Sequence, residues 1–317
     1  MIKTQLCRLL DIDYPIVQAG MAWLANAELA AAVSNAGGLG VVTANAGLSL
    51  RGDPVKNLRA QVRRVRSLTD KPFGVSLFAN NPDVKRFADV VVAEGAPVVL
   101  TGGGSPAPLM EQLDGHGIKV LHLVGSVRHA RAAEALGVDA VVAEGLEGGG
   151  VRGNEEASTL VLVPQLVEAV EIPVVASGGI VDARGLVAAL ALGAAGVCMG
   201  TRFVATQECV AHPRYKEAVV GAIETSTAVV RTSRVPIRVL KTEAVNKWLR
   251  QAENGKAPPW EEISTPERLR KAYLEGDLTQ GIAYAGAGAG LIGEVAEAGE
   301  LVKRIMREAD ALVGKLR

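Results

Sequence analysis

The sequence predicts an α/β fold, a (β/α)8 TIM barrel with a small, mainly helical lid inserted after strand eight. Three observations lead there. Short apolar, β-branched runs without polar alternation recur at 15–21, 38–42, 73–78, 97–101, 119–124, 140–144, 173–177 and 196–200. Such runs are the pattern of parallel strands buried on both faces. Amphipathic stretches separate them, and eight strand–helix units is the count for this barrel. Glycine, 36 of 317 residues, gathers at the ends of the apolar runs and not in linkers. That placement suits backbone lying close to a ligand at strand ends. A doubly wound open sheet is the runner-up, because periodicity alone does not close a barrel.

The elements between the strands follow local rules. Asn26 is placed to N-cap a helix carrying Leu29, Val33 and Ala36, with Gly37 ending it in the left-handed conformation. The stretch 127–136 turns Arg128, Arg131 and Glu134 outward, and Asp182 caps a helix with Leu186 and Leu190 that Gly193 closes. After His212 the pattern changes. Residues 215–276 read as charged helical stretches with no good strand, punctuated by Asn254-Gly255 and Pro258-Pro259. This segment, 213–279, is the expected lid; 1–212 and 280–317 form the expected barrel. Leu301, Val302, Ile305, Met306, Ala309, Leu312 and Val313 fall at helical spacing in a final helix that closes it.

Composition narrows the function classes. Hydrophobic residues make up 49%, enough for a sizeable core, and Lys+Arg balances Asp+Glu at 34 each. Neutral charge without runs of one sign argues against nucleic-acid and membrane-surface partners, which need a basic patch. Cys7, Cys198 and Cys209 form neither a CxxC pair nor a zinc spacing. With no signal segment and no apolar run long enough for a membrane span, a cytoplasmic protein is expected.

The strongest chemical signal is a pair of turns, Ala176-Ser177-Gly178-Gly179 and Met199-Gly200-Thr201, at the ends of the seventh and eighth strands. In barrels these loops and a helix N-terminus make a phosphate site. Free N–H groups and the helix dipole favour a dianion, and glycine lets backbone approach it. The bland alternative is a pair of tight turns. Gly288-Ala-Gly290-Leu-Ile-Gly293 matches a dinucleotide fingerprint, but no βαβ unit follows it. It reads as a glycine-rich cover over a ligand or as close helix packing. Gln18-Ala19-Gly20-Met21 ends the first strand, where Met21 packs on a flat ring or in the core. Ser76 and Thr101 end the third and fourth strands. His122, on the fifth, faces the barrel mouth or serves as a satisfied core histidine. No histidine pair or carboxylate cluster has metal-ligand spacing, so no metal is expected. Cys198 reads as packing. In the loop from Glu144 through Gly148-Gly149-Gly150-Val151 to Arg152, glycine implies backbone against a ligand, while Arg152 and the glutamates read equally as solvated rim.

These motifs, in order, resemble the nitronate monooxygenase (2-nitropropane dioxygenase) family and its relative enoyl-acyl carrier protein reductase II. The likeness runs through Tyr14-Pro-Ile-Val-Gln18-Ala-Gly-Met21-Ala-Trp23, Ala36-Gly-Gly-Leu-Gly40, Lys71-Pro-Phe-Gly-Val75, Ala176-Ser-Gly-Gly-Ile180, Met199-Gly-Thr-Arg-Phe203, Ala211-His-Pro213 and Gly276-Asp277. The resemblance implies an FMN-dependent barrel with a lid. Ala19, Gly20 and Met21 would border the isoalloxazine, with Ser76 and His122 near it. Glu144, Gly149 and Gly150 would line its edge. Ser177, Gly178, Gly179, Met199, Gly200 and Thr201 would hold the phosphate. Met21 and Val151 would meet the substrate.

Two departures matter. The family's Gly-Gly-His segment is Gly149-Gly150-Val151 here, and its strand-five lysine falls at His122-Leu123. Valine cannot shuttle a proton, so abstraction from a neutral nitroalkane loses a base worth roughly 100- to 10,000-fold. Oxidation of an anionic nitronate does not need that step. Three readings stay open: an FMN oxidoreductase of alkyl nitronates using O2, an NAD(P)H-dependent reductase of enoyl thioesters or quinones, and a flavin-binding protein that has lost the reaction. No catalytic residue is assigned. A homodimer is expected only as a fold-level prior.

Overall fold

A computed structural model describes residues 2–253 and 256–316. Eight parallel strands make the central sheet: β1 (Ile16–Gln18), β2 (Gly40–Thr43), β3 (Phe73–Phe78), β4 (Val98–Gly102), β5 (Lys119–Val124), β6 (Ala140–Glu144), β8 (Val174–Ser177) and β9 (Gly196–Met199). The short β7 (Gly150–Val151) lies outside it. Each barrel strand falls inside or within two residues of an expected run. The ladder order is β1-β9-β8-β6-β5-β4-β3-β2, and its two ends meet. Gln18 N–H donates to Leu39 C=O and Leu39 N–H donates to Ile16 C=O, each at 2.9 Å. The Gln18 side chain extends this seam, its Oε1 accepting from Val41 N–H at 2.9 Å. The sheet is therefore a closed barrel and not an open doubly wound sheet.

Strand alternation divides the core in two. Val17, Val41, Val98, Leu100, Leu121, Val142, Val175 and Cys198 pack together inside the barrel. Alternate residues, such as Val42, Val99, Val120, Val141 and Met199, pack outward with the helices. Asp182 caps its helix as expected, its Oδ1 accepting from Arg184 N–H at 2.9 Å. Asn26 stands at the N-cap position but makes no cap bond; its amide donates to Glu28 instead, at 2.8 Å. Gly37 does take the left-handed conformation, at φ +97°. The last helix, Ala298–Leu316, packs against helices Ala27–Asn35 and Ala183–Ala191. It thereby closes the outer layer where the first and last strands meet. Among the described residues no helix is long and apolar enough to cross a membrane.

The segment after His212 corrects one expectation. Besides helices Pro213–Val220, Glu243–Glu253, Trp260–Ile263 and Pro266–Leu274, it holds an antiparallel hairpin, β10 (Thr227–Arg231) with β11 (Pro236–Leu240). β11 also pairs antiparallel with β7, so the hairpin grips the strand-six loop. Both runs are β-branched but short, and their flanking arginines and serines mimic the charged helical stretches beside them. Pro259 precedes a helix as a breaker should. The Asn254-Gly255 turn lies outside the described residues.

Candidate active site

The βα loops at the carboxyl ends of the strands surround a cavity of about 210 Å³. Ala19, Gly20, Met21, Ser76, Glu144, Gly149, Gly150, Val151, Ser177, Gly178, Gly179, Gly200 and Thr201 all line it. The first of these contacts is set by a missing side chain. A Cβ on Gly20 would sit 2.1 Å from Ser76 Cβ, so the strand-one loop lies directly on β3.

Two expected residues do not line the cavity, and strand parity is the reason in both cases. His122 shares its face with Val120 and Val124, which pack outward, while Leu121 points inward and Leu123 reaches the cavity. His122 is 5% exposed, and burial, with His129 nearby, pushes its pKa down to about 4 against the opposing effect of the Gly104 backbone. It is a neutral core histidine. Met199 likewise packs outward, and its neighbour Cys198 lines the cavity from inside. Burial raises the Cys198 thiol to about 12, so it acts as a small apolar side chain.

The two glycine turns close the carboxyl ends of β8 and β9. Gly178 and Gly179 adopt φ of +100° and +72°, which a side chain would strain. Gly200 precedes the short helix Thr201–Val204. Among the described residues, the N–H groups of Gly178, Gly179, Gly200 and Thr201 donate to no protein acceptor. The glycine-rich stretch after the lid covers this end of the cavity. Gly286 N–H donates to Thr201 Oγ1 at 2.9 Å, and Ala287 N–H donates to Glu147 C=O at 2.8 Å. A Cβ on Gly288 would press within 3.0 Å of Gly179 O. The stretch is a cover over the turns, not a nucleotide fold.

The strand-six loop is held from beneath by groups that sequence reading left unassigned. Arg152 is 7% exposed, and its Nη1 donates to Gly145 C=O at 2.9 Å and Gly148 C=O at 3.1 Å. It is an internal clamp and not solvated rim. Arg238, from the lid hairpin, donates Nε–H to Leu146 C=O at 3.1 Å. Glu147 accepts from Thr159 N–H and Oγ1–H, each at 2.9 Å. An arginine inside a glycine-rich loop has many unpaired carbonyls within reach, and that was the available signal.

Glu144 is the electrostatic outlier. It shares inward parity with Ala140 and Val142 and projects into the barrel mouth beneath Gly148. Burial raises its pKa to about 7, against the opposing pull of Arg152. It can exchange a proton near neutrality. The cavity is also lined by Tyr215, Tyr273 and Tyr284. Tyr215 and Tyr273 stack at 5.2 Å, and Tyr284 lies against Gly150. Burial raises the Tyr284 phenol to about 12, so it stays a neutral donor. Among the described residues no group of three or more His, Cys, Asp or Glu could hold a metal ion.

Comparison with known proteins follows this geometry. A profile of the nitronate monooxygenase family matches residues 3–308. The chain is 33% identical to (3aS,4S,5R,7aS)-5-hydroxy-7a-methyl-1-oxo-octahydro-1H-indene-4-carboxyl-CoA dehydrogenase of Rhodococcus jostii, over 97% of this chain and 96% of that one. It is 32% identical to a probable nitronate monooxygenase of Staphylococcus saprophyticus, over 99% of both. The solved structure of FabK from Thermotoga maritima superposes with a TM-score of 0.90 at 41% identity, covering 100% of this chain and 99% of that one. The closed barrel, the two glycine turns at its mouth and a match across almost the whole sequence lead to one conclusion: the chain belongs to the nitronate monooxygenase family, a family of flavin-dependent oxidoreductases.

Proposed function

We propose that this enzyme oxidises alkyl nitronates with molecular oxygen and that FMN is its flavin. The cofactor assignment rests on the cradle. Gly178 and Gly179 after β8, with Gly200 and Thr201 at the start of a short helix, offer four undirected N–H donors, which suits a phosphate dianion. No side chain fills the space over Gly200, where the nearest atom to an added Cβ is Ala19 Cβ at 3.7 Å. Ala19, Gly20 and Met21 would border the ring, with Ser76, Glu144, Gly149 and Gly150 at its edges. Bound FMN would supply the redox chemistry, accepting electrons from the substrate and passing them to oxygen. The protein's part is to position the substrate and exclude water. Residues 213–279 serve as the lid that does so.

The choice of nitronate rests on Val151. It lines the cavity where the resemblance places a histidine, and among the described residues no histidine, lysine or arginine lines the cavity beside it. Glu144 projects from the barrel strand β6, whereas Val151 sits on the strand paired with the lid. A substrate arriving as an anion needs no base on the lid side. The test is anaerobic mixing of the yellow holoenzyme with preformed propyl-1-nitronate or neutral 1-nitropropane. Bleaching by the nitronate alone is expected. Bleaching by NADH or NADPH, with none by the nitronate, would replace this reading with a nicotinamide-dependent reductase.

A further inference from the structure

A second cavity, of about 360 Å³, opens beside the first. The two share Ala22, Ser76 and Phe78 in their walls, so they lie side by side at the barrel mouth. The size lies within the roughly 300–1,000 Å³ of small-molecule sites. Its far wall is the loop after β2, with Leu48 and Leu50, and its roof is Pro266 and Glu267 from the segment after the hairpin. We propose that this cavity is a subsite for the uncharged, apolar tail of the organic substrate.

Three observations support this. The first is surface chemistry. Phe78 and Leu50 are 44% and 48% exposed, and both face this cavity, so apolar area stands uncovered next to the reaction site. The second is charge. Among the described residues, the lining includes two carboxylates, Asp83 and Glu267, and no lysine, arginine or histidine. Asp83 is paired with Arg86 at 2.8 Å, but Arg86 does not line the cavity. A phosphate-bearing arm would meet negative charge with no cation to receive it. The third is backbone strain. Trp23, in the wall, holds φ +69°, which a bulky residue rarely adopts. Asn45 Oδ1 accepts from Trp23 N–H at 3.2 Å, and Trp23 C=O accepts from Gly47 N–H at 2.9 Å. Strain held in place by its surroundings tends to mark ligand clamps.

The occupant follows from these facts. It is the distal alkyl or aryl part of the substrate, whose reacting end lies in the first cavity. On the nitronate reading, on which this identification of the tail's parent molecule rests, preferred substrates are long-chain or aryl nitronates and not the smallest ones.

Calorimetric titration of the FMN-loaded enzyme with butan-1-ol, hexan-1-ol and octan-1-ol tests the subsite without turnover. Affinity should rise with chain length, by up to about fourfold per methylene. The exposed rim substitution Ser49→Trp should flatten the series. Octyl phosphate should bind at least tenfold more weakly than octan-1-ol, and Asp83→Asn with Glu267→Gln should narrow that gap. Affinities independent of chain length, an unflattened series in Ser49→Trp, or octyl phosphate binding as tightly as the alcohol would each overturn the proposal. A parallel series of nitronates, propyl to octyl, separates the two claims. If the alcohols behave as expected but no nitronate is turned over, the reaction assignment fails and the subsite stands.

Discussion

Val151 and Ile237 are Cα partners in an antiparallel ladder, so the lid hairpin fixes the backbone of the strand-six loop. The next residue is held too, with Arg152 N–H donating to Pro236 C=O at 3.0 Å. The Val151 side chain is nevertheless 44% exposed and lines the cavity. A larger side chain can therefore be placed there without moving the backbone. Val151→His should confer activity on neutral nitroalkanes, raising kcat/KM by roughly 100- to 10,000-fold over the parent. The gain should appear as pH rises through the imidazole pKa, near about 6.5, while nitronate turnover changes little. Steady-state rates on 1-nitropropane check this. No gain would mean that position 151 does not face the reacting carbon.

Glu144 links the site to stability. The folded protein holds its carboxyl proton up to about pH 7, whereas the ordinary value is 4.5. Between those values the folded state binds more protons than the unfolded one. Stability therefore falls as pH rises through this window and levels off above it. Glu144→Gln removes the dependence. In flavin-free protein it should add about 1–3 kcal/mol at pH 8 and nothing below pH 4. Urea unfolding at three pH values reads the difference. An unchanged pH slope would place the titration on another group.

Substitutions in the two glycine turns separate the proposed cofactor binding from folding. Gly200 has φ −103° and room for a methyl group, which would project where the anion is expected. Gly200→Ala should weaken FMN binding at least about tenfold and leave the melting temperature of the flavin-free protein within about 2 °C. Gly178→Ala should behave differently. At φ +100°, with an added Cβ 2.9 Å from Thr159 Oγ1 and 3.1 Å from Gly148 N, it should also cost about 1–3 kcal/mol of stability. Fluorescence titration with FMN and thermal unfolding, run side by side, distinguish the two. Wild-type FMN affinity in Gly200→Ala would remove the cradle from the phosphate.

The eight strands were legible because burial on both faces leaves an unbroken apolar run, and the turns that line the cavity because glycine marks them. Strand parity was not legible in such runs. With no polar alternation, nothing in 119–124 shows whether His122 or Leu123 faces the mouth, and the ring placed His122 outward. The same ambiguity exchanged Met199 for Cys198. The lid hairpin was hidden for a different reason. β10 and β11 pair with each other, and β11 pairs with β7 through Ile237–Val151 and Arg238–Gly150, contacts far apart in sequence that no local pattern records. Tyr284 entered the site through the same long-range contact, bridged to Val239.

Arg152 gives the sharpest test of how the loop is held. Its guanidinium is buried, and burial lowers its pKa while Glu144, Glu147 and Glu155 act to raise it. Its Nη1 satisfies the carbonyls of Gly145 and Gly148, which lie directly under the cavity. Arg152→Met keeps much of the volume but removes the donors and the charge. Two buried carbonyls then lose a partner, and Glu144 loses the nearby cation that lowers its pKa. The substitution should cost about 2–4 kcal/mol and push the Glu144 midpoint above its present value. It should also loosen Gly149 and Gly150, so FMN affinity should fall even where the protein remains folded. Arg152→Lys should restore part of the charge effect on Glu144 but not the paired carbonyl contacts, because an ammonium lacks the planar fork. Urea unfolding, the pH dependence of stability and FMN titration on the two variants separate the roles. Equal recovery of all three by lysine would show that charge alone, and not the fork, holds the loop.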